Sequence, residues 1–260
     1  MHQRRARLLD RTTRSVVLTA SGRSLLAAAG PAVAELDDRI AETVLHASGG
    51  GGRIRVGCVT TVACSIFPCV LQTFRIQFPD VRVQLHDDTG KRVLEEVLAG
   101  RVEFAVNTLL QAHPGTHAER LVNDAYVAAV PAGHALAGSG SLPWAAIQGC
   151  RLVGLKRSSA NRQQVDDAMA AAGITLQWFD EVEHLSSMLG FLREGQSVGV
   201  IPRMALLGQS LPRIRIRALT HPTIERTIGL VRCADASLSV SAQALWDLVR
   251  AALVDFAREK

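Results

Sequence analysis

The segment RIRVGCVTTVACSIFPCVLQTFRIQFPDVRVQLH, residues 53–86, decides the fold, because two strand patterns flank one helix pattern within it. Residues 53–59 form a short β-branched run, and residues 65–78 carry apolar side chains at helical spacing. Residues 81–86 then alternate apolar and polar side chains, which is typical of a strand. A strand, a helix and a second strand in this order predict a parallel strand pair with the helix on one face of the sheet.

The same alternation continues on the C-terminal side of this segment. The predicted strands lie at residues 102–106, 151–155, 176–182 and 197–202, and the predicted helices at residues 92–100, 161–173, 184–195 and 241–257. Repeated units of this kind predict an α/β protein with a mostly parallel sheet and helices on both faces. A chain of 260 residues holds enough of them for two similar α/β subdomains, each with a buried core.

The positive charge of the chain is concentrated at its N-terminus. Residues 1–23 contain six arginines and one carboxylate, which leaves 23 of the 29 basic and 23 of the 24 acidic residues for the rest of the chain. The whole formal excess of +5 therefore lies in this stretch. Such a cluster is suited to the phosphate backbone of a nucleic acid. A solvated basic tail without a specific partner is the alternative.

Residues 19–47 carry the pattern of one long helix. Thr19 is a candidate N-cap, and Pro31 is expected to kink the helix. The apolar stripe consists of Leu25, Ala29, Val33, Leu36, Ile40 and Val44. Because a lone amphipathic helix has nothing to bury this stripe against, we expect it to pair with a second copy of the chain. The following SGGGGR, residues 48–53, is typical of a flexible linker.

Several functional classes are disfavoured by the sequence. It lacks the HExxH, GxSxG and GxxxxGK[ST] motifs, and we therefore expect no enzyme, no catalytic residue and no cofactor. His113 and His117 have Pro114 and Gly115 between them, which argues against a metal site. Five cysteines without CxxC spacing predict reduced, mostly buried thiols, with redox sensing as an alternative. Without an apolar run of membrane length or a signal peptide, the expectation is a cytoplasmic protein without membrane contact.

Polar residues follow the predicted strands at their carboxyl ends, where α/β sheets bind ligands. The candidate ligand-binding residues are Thr60, Thr61, Thr89, Asn107, Ser158, Ser159, Asn161 and Arg162. Lys156 and Arg162 could supply charge for a carboxylate, or could be solvated surface residues. The hydroxyl and amide side chains could equally cap the helices that follow.

The segment RLLDRTTRSVVLTASGRSLLAAA, residues 7–29, resembles the wing of the winged helix-turn-helix and the start of the linker helix in LysR-type transcriptional regulators. GRIRVG at 52–57, FRIQFPDVRVQL at 74–85, VLEEVLAGRVEFAV at 93–106 and REGQSVGVIPR at 193–203 resemble the effector-binding region of the same family, in the same order. The resemblance implies two Rossmann-like subdomains of periplasmic-binding-protein type, with a small-molecule cleft between them. In the family the recognition helix precedes the wing, and here Met1 falls just before the wing.

The resemblance also implies a division of the chain. Residues 1–18 are the wing remnant, residues 19–47 the linker and dimerisation helix, and residues 53–260 the effector-binding domain. Within that domain we expect subdomain I at about 53–124 and 228–260, and subdomain II at about 125–227. The wing implies contacts to the DNA backbone from Arg11, Thr12, Thr13 and Arg14.

The sequence therefore predicts a LysR-type transcriptional regulator, not an enzyme. Its effector-binding domain is expected to sense a small anionic molecule and to alter the geometry of a DNA-bound homodimer or tetramer. DNA is an expected partner if the helices that precede the wing are supplied. The alternatives are a truncated regulator that acts through mixed oligomers without reading DNA, and a solute-binding protein. The identity of the effector, the target genes and the choice between activation and repression stay open.

Overall fold

The computed structural model describes residues 7–11, 16–47, 52–109 and 113–258. The chain divides into two compact units, one that ends at Arg53 and one that begins at Ile54. Among the described residues, no helix combines the length and the apolarity that a bilayer span requires.

The first unit is a hairpin followed by a long helix. Strands β1 (Leu9–Arg11) and β2 (Val16–Leu18) pair antiparallel, and helix α1 (Ala20–Ala47) follows. Thr19 Oγ1 accepts a hydrogen bond from the Gly22 N–H at 3.0 Å, which confirms the predicted N-cap. A Cβ atom on Gly22 would lie 2.1 Å from the Leu8 carbonyl oxygen, so only glycine fits where the hairpin meets the helix.

Helix α1 continues through Pro31 and exposes apolar side chains within a single chain. Val33, Leu36 and Ile40 are each more than half exposed, and Leu25 is 49% exposed. Their spacing is the predicted stripe, and the side chain of Val44 lies outside the described part of the chain. Burial of this stripe against a second copy stays a prediction.

The second unit is an α/β domain built on one mixed sheet. Its strands are β3 (Arg53–Val59), β4 (Arg82–Asp88), β5 (Phe104–Thr108), β6 (Thr116–Pro131), β7 (Leu142–Pro143), β8 (Leu152–Leu155), β9 (Trp178–Val182), β10 (Val198–Pro202), β11 (Ile214–Thr220) and β12 (Glu225–Cys233). Its helices are α2 (Thr60–Gln77), α3 (Gly90–Leu98), α4 (Ala160–Ala171), α5 (Leu185–Glu194) and α6 (Val240–Arg258). The α/β prediction is confirmed.

The sheet runs in the order β4-β3-β5-β12-β6-β10-β8-β9, and β11 pairs with β6 and β7. Strand β3 is parallel to β5, and β8 is parallel to both β9 and β10. The long strand β6 pairs with β12 over residues 116–125 and with β10 and β11 over residues 126–131. It therefore passes from one half of the domain into the other, beside the returning strand β12.

Separate apolar cores lie on the two sides of this crossing. We call lobe I the part formed by β3 to β5, α2, α3, α6, β12 and the first part of β6, and lobe II the part formed by the last part of β6, β7 to β11, α4 and α5. Phe67, Phe74 and Phe104 fill the core of lobe I with Trp246, whose ring meets that of Phe104 edge to face at 5.4 Å. Trp144 is fully buried in lobe II. The numerical subdomain boundaries given by the resemblance stay a prediction.

Two local expectations differ from the structure. Helix α2 begins at Thr60, five residues earlier than its apolar spacing predicts, so Thr60 and Thr61 belong to its first turn. The expectation of mostly buried thiols is wrong for Cys64 and Cys69, which are exposed, whereas Cys58 is buried in β3. Both exposed cysteines lie outside the stripe of buried residues of α2, because an amphipathic helix buries only one stripe.

Candidate functional site

An ion pair is buried where the two crossing strands connect the lobes. Asp124 on β6 and Arg226 on β12 are direct partners in the antiparallel register, and they are 0% and 2% exposed. Asp124 Oδ2 accepts hydrogen bonds from Arg226 Nε at 3.0 Å and from Nη2 at 2.8 Å. The other carboxylate oxygen accepts the Met204 N–H at 2.9 Å. Both charges are thus compensated at close range, as burial requires.

The same guanidinium also holds one residue from each lobe. Arg226 Nη2 donates to Thr61 Oγ1 at 2.7 Å, and Nη1 donates to Asn161 Oδ1 at 3.1 Å. Thr61 is the second residue of α2 in lobe I, and Asn161 is the second residue of α4 in lobe II. The N-termini of two helices from different lobes therefore meet at one side chain.

Tyr126 extends this cluster along β6. Its hydroxyl lies 3.2 Å from both Asn161 Oδ1 and Gln164 Oε1 and donates its single proton to one of them at a time. Gln164 Nε2 in turn donates to the Glu225 carbonyl oxygen at 2.7 Å. Burial raises the pKa of Tyr126 to about 12, an effect that Arg226 opposes and Asp124 reinforces. At the pH of a cell this hydroxyl is a neutral hydrogen-bond donor.

Both helix N-termini at this junction are free of internal charge compensation. Neither α2 nor α4 has an acidic residue in its first turn, and the N-cap residues Val59 and Ser159 make no side-chain capping bond. The first N–H groups of each helix carry partial positive charge and have no partner within the helix. Groups of this kind bind anions.

The polar residues predicted around α4 lie at its N-terminus, but its two cations are already engaged. Arg162 is 8% exposed and pairs with Asp166 at 2.8 Å and Glu181 at 3.1 Å, and its guanidinium lies 4.1 Å from the centroid of the Trp178 ring. Lys156 pairs with Glu183, and this hydrogen bond holds the pKa of the Glu183 carboxyl below its usual range.

These contacts hold both Arg162 and Lys156 within lobe II. The loop of residues 157–159 lies between them, with Lys156 before it and Arg162 in the helix after it. Ser158 in that loop is exposed and Ser159 is half-buried. The hydroxyls around α4 are therefore more accessible to a ligand than the Arg162 side chain.

Thr89 and Asn107 lie at a different strand end in lobe I. Asn107 Nδ2 donates to the Gly90 carbonyl oxygen at 2.9 Å, and its Oδ1 accepts the Thr108 N–H at 2.8 Å. Asn107 is 4% exposed, whereas Thr89, the N-cap residue of α3, is exposed and makes no side-chain capping bond. The bonds of Asn107 link β5 to the start of α3, and they do not reach the Arg226 cluster.

A small cavity opens beside the cluster in lobe II. Its lining includes Tyr126, Asn161, Trp178 and Met188, and its volume is about 10 Å³. That is room for about one water molecule. All of its lining residues belong to lobe II, and a larger molecule finds no enclosed space in this cavity.

Three of the five thiols, those of Cys58, Cys64 and Cys150, do not resemble reactive sensor thiols. Burial raises the pKa of Cys58 and of Cys64, and the nearby Asp87 carboxylate raises both further. Burial also raises the pKa of Cys150. Since the thiolate is the reactive form, these shifts argue against redox sensing at these three positions.

The predicted DNA contacts lie mostly outside the described residues. The backbone of Arg11 belongs to β1, and its side chain and residues 12–15 fall outside the description. The β1–β2 hairpin nevertheless has the form expected of a wing. The roles of Arg11, Thr12, Thr13 and Arg14 stay predictions.

Sequence reasoning missed Asp124, Tyr126, Gln164 and Arg226. A weak signal for two of them was present, because Asp124 directly precedes the apolar run AYVAAV, residues 125–130, and Arg226 lies two residues before the apolar run IGLV, residues 228–231. A charge that is buried beside such a run requires a partner of opposite sign. A prediction that these two charges pair would have placed β6 and β12 side by side in the sheet.

Two α/β lobes, joined by crossing strands and lined at their junction by polar groups from both, define a bilobed ligand-binding domain of the periplasmic-binding-protein type. The family model described as LysR substrate binding domain matches residues 47–254. The chain therefore belongs to the LysR family of transcriptional regulators, and its second unit is the effector-binding domain.

Individual relatives agree with this assignment. The HTH-type transcriptional regulator YfeR of Shigella flexneri is 32% identical over 248 residues, which cover 94% of this chain and 79% of YfeR. The effector-binding domain of QuiR in complex with shikimate has a TM-score of 0.64 at 17% identity, over 80% of this chain and 98% of that domain. Full-length CbnR complexed with its target DNA has a TM-score of 0.71 at 18% identity, over 90% of this chain and 82% of CbnR. The predicted family and two-subdomain fold are confirmed.

Proposed function

We propose that this chain regulates transcription by binding a small anionic molecule between its two lobes. The observation that carries the proposal is the convergence of two helix N-termini, one from each lobe, on Arg226. Neither helix has an acidic residue in its first turn or a side-chain cap. An anion placed between them would interact favourably with both, and would do so best when the lobes approach each other.

The effector is a small carboxylate in this proposal. The site offers hydroxyl and amide groups beside the two helix ends, and these groups suit a carboxylate that also carries hydroxyl substituents. Shikimate, the ligand of the QuiR domain, is a compound of this class. The proposed contacts are Thr60, Thr61, Ser158, Ser159 and Asn161, with Thr89 and Asn107 at the neighbouring strand end of lobe I.

Arg162 has a different role in this proposal. Its guanidinium is held by Asp166, Glu181 and the Leu155 carbonyl oxygen, at 3.1 Å for the last. It fixes the position of the α4 N-terminus relative to β8 and β9, and so it orients the hydroxyls and the N–H groups that precede it without touching the effector.

The signal passes to DNA through the oligomer. The exposed apolar stripe of α1 supports pairing with a second copy, and the arginines of the wing support contacts with DNA phosphates. Effector binding favours one relation of the lobes, and in an oligomer this bias changes how the DNA-binding ends are presented. Homodimer and tetramer are both compatible with this route.

A thermal-shift screen tests the effector class. The chain is heated with each member of a panel of small hydroxylated carboxylic acids, and each acid is compared with its own primary amide. At a concentration 100 times its Kd, a ligand stabilises the folded state by about 2.7 kcal/mol. For a domain of this size the shift in Tm is about 5–10 °C. Equal shifts for an acid and its amide would contradict the proposal of an anion site.

Variants locate the binding. Ser158→Ala and Ser159→Ala are expected to reduce the shift produced by an active carboxylate. Gln163→Ala is the matched control, because Gln163 lies exposed in the first turn of the same helix and is outside the proposed contacts. A shift that survives both serine variants unchanged would place the ligand elsewhere.

The DNA part is tested by fluorescence anisotropy with the DNA upstream of the gene and a scrambled duplex, at several salt concentrations. Replacing Arg11 and Arg14 with alanine is expected to reduce the slope of log K against log salt by about 2, since each phosphate contact contributes about 0.9. An unchanged slope would show that these arginines do not contact phosphates.

A further inference from the structure

We propose that Arg226 is a positioning residue that clasps the two lobes and fixes their relative orientation in the effector-free state. Its guanidinium binds both a helix N-terminus of lobe I, through Thr61, and a helix N-terminus of lobe II, through Asn161. The lobes cannot separate at this point without breaking one of these two bonds.

The geometry of arginine is what allows the double contact. Nη2 is directed to Thr61 and Nη1 to Asn161, while Nε and Nη2 together hold Asp124. The planar fork fixes the angle between these directions, whereas the ammonium of a lysine is a single point of charge that cannot reach both lobes. Asp124 is itself held by the Met204 N–H, so the guanidinium is anchored to the crossing strands and does not move with either helix.

The hydrogen bonds of the clasp involve the same residues that the effector is proposed to contact. Thr61 and Asn161 are among the proposed effector contacts, and in this conformation Thr61 Oγ1 and Asn161 Oδ1 each accept a hydrogen bond from Arg226. The Thr61 hydroxyl proton and the Asn161 amide N–H groups are the donors that would meet a carboxylate. A carboxylate that reaches these helix ends meets groups whose separation Arg226 has already set. This last step rests on the proposed function, whereas the clasp itself is a property of the chain without ligand.

The test measures the distance between the lobes without any ligand. Spin labels are attached through a genetically encoded keto amino acid at Gln72 on α2 and at Arg193 on α5, which are both exposed. The labelled chain is diluted with unlabelled chain so that distances within one copy are observed, and pulsed double electron–electron resonance gives the distance distribution. Arg226→Lys is expected to at least double the width of the distribution or to add a second maximum.

Two further variants leave the ion pair intact, and they decide the matter if Arg226→Lys does not fold. Thr61→Val and Asn161→Ala each remove one arm of the clasp, and each is expected to broaden the distribution. Thr61→Ser keeps the hydroxyl and is expected to restore the narrow distribution. A merely structural role for the Thr61 side chain would not distinguish these variants in this way.

Arg217→Lys is the matched control. Arg217 is also buried, at 7% exposure, but its guanidinium donates only to the carbonyl oxygens of Leu136, Ser139 and Gly140, all within lobe II. Its replacement is expected to lower stability while leaving the distance between the lobes unchanged. Folded Arg226→Lys, Thr61→Val and Asn161→Ala proteins with the wild-type distribution would overturn the proposal, and so would equal broadening by Arg217→Lys.

The two proposals fail separately. If no carboxylate binds but the distribution broadens as expected, the clasp stands and the effector class is wrong. If a carboxylate binds between the helix ends and the distribution stays narrow in every variant, the effector class stands and the clasp is wrong. If both hold, Arg226→Lys is expected to weaken carboxylate binding at least tenfold.

Discussion

Removal of the Asp124 carboxylate is expected to destabilise the second unit severely. In the Asp124→Leu variant the Arg226 guanidinium stays buried with only two neutral acceptors, Thr61 and Asn161. The carboxylate is fully buried and accepts three hydrogen bonds, two of them from the guanidinium. Breaking one partner out of a buried pair costs about 3–5 kcal/mol. Arg226→Met leaves an equally buried carboxylate and is expected to cost a similar amount.

The double variant Asp124→Leu/Arg226→Met removes both charges and measures the coupling energy between the two side chains. Without either charge the desolvation penalty of the two ions is removed and only the Met204 N–H loses a buried acceptor, and apolar replacement of a buried pair is often neutral or stabilising. The expected cost of the double variant is therefore far below the sum of the single variants, with a coupling energy of about 3 kcal/mol or more. The free energy of unfolding is measured by urea denaturation, followed by circular dichroism. Single variants that cost less than about 1 kcal/mol, or additivity within about 0.5 kcal/mol, would refute the reasoning.

Three other predictions follow from single features of the fold. A Cβ atom on Gly154 would lie 2.4 Å from the Trp178 ring, so Gly154→Ala is expected to cost about 1–3 kcal/mol in urea denaturation, and an unchanged midpoint would mean that the ring moves freely. Tyr126 is the single tyrosine of the chain, and its pKa of about 12 lies above the ordinary value of about 10, so phenolate absorbance should appear only near pH 12 in the folded protein. Because the folded-state pKa is raised, the stabilisation from this group is complete below about pH 10 and is lost as the pH rises to about 12, and a Tyr126→Phe variant should not show this loss. Val33→Asp/Leu36→Asp is expected to shift the chain from oligomer to smaller species in analytical ultracentrifugation, since both side chains are more than half exposed in the single chain; unchanged sedimentation would exclude α1 from the oligomer contact.

The order and type of the helices and of β3 to β5 and β8 to β10 could be predicted from the sequence because their patterns are strong and local. The strands β6, β7, β11 and β12 are not among the predicted strands. Strand β3 has the predicted bounds, since a β-branched run is followed there by a change to helical spacing. The start of α2 could not be predicted in the same way. Thr60 and Thr61 are β-branched residues with low helix propensity, and their place in the first turn depends on tertiary contacts such as the bond from Arg226.

The candidate site could be predicted only in part, and for a similar reason. The residues at strand ends were found because α/β sheets place ligands there, and Thr61 and Asn161 do meet at one point in the structure. Arg226 and Asp124 are separated by 102 residues, and only the register of β6 with β12 brings them together. No local pattern carries that register. The expectation that buried charges pair was the one sequence signal from which the contact between Asp124 and Arg226 could have been predicted.

Membership of the LysR family is shown by matches along nearly the whole chain. The proposed assignment of the site residues rests instead on the geometry of the lobe junction. The proposal of an anion site rests on the helix N-termini at the lobe junction, which have no acidic residue in their first turns and no side-chain caps. The proposal gives Arg162 a positioning role, since its charge is compensated by Asp166 and Glu181.

A crystal structure of the chain with a carboxylate that raises its Tm would test the central claim most directly. The account predicts that the carboxylate group lies between the first turns of α2 and α4, within hydrogen-bond distance of Thr60 or Thr61 on one side and of Ser158, Ser159 or Asn161 on the other. A carboxylate bound within one lobe only, or at a surface away from both helix N-termini, would contradict it.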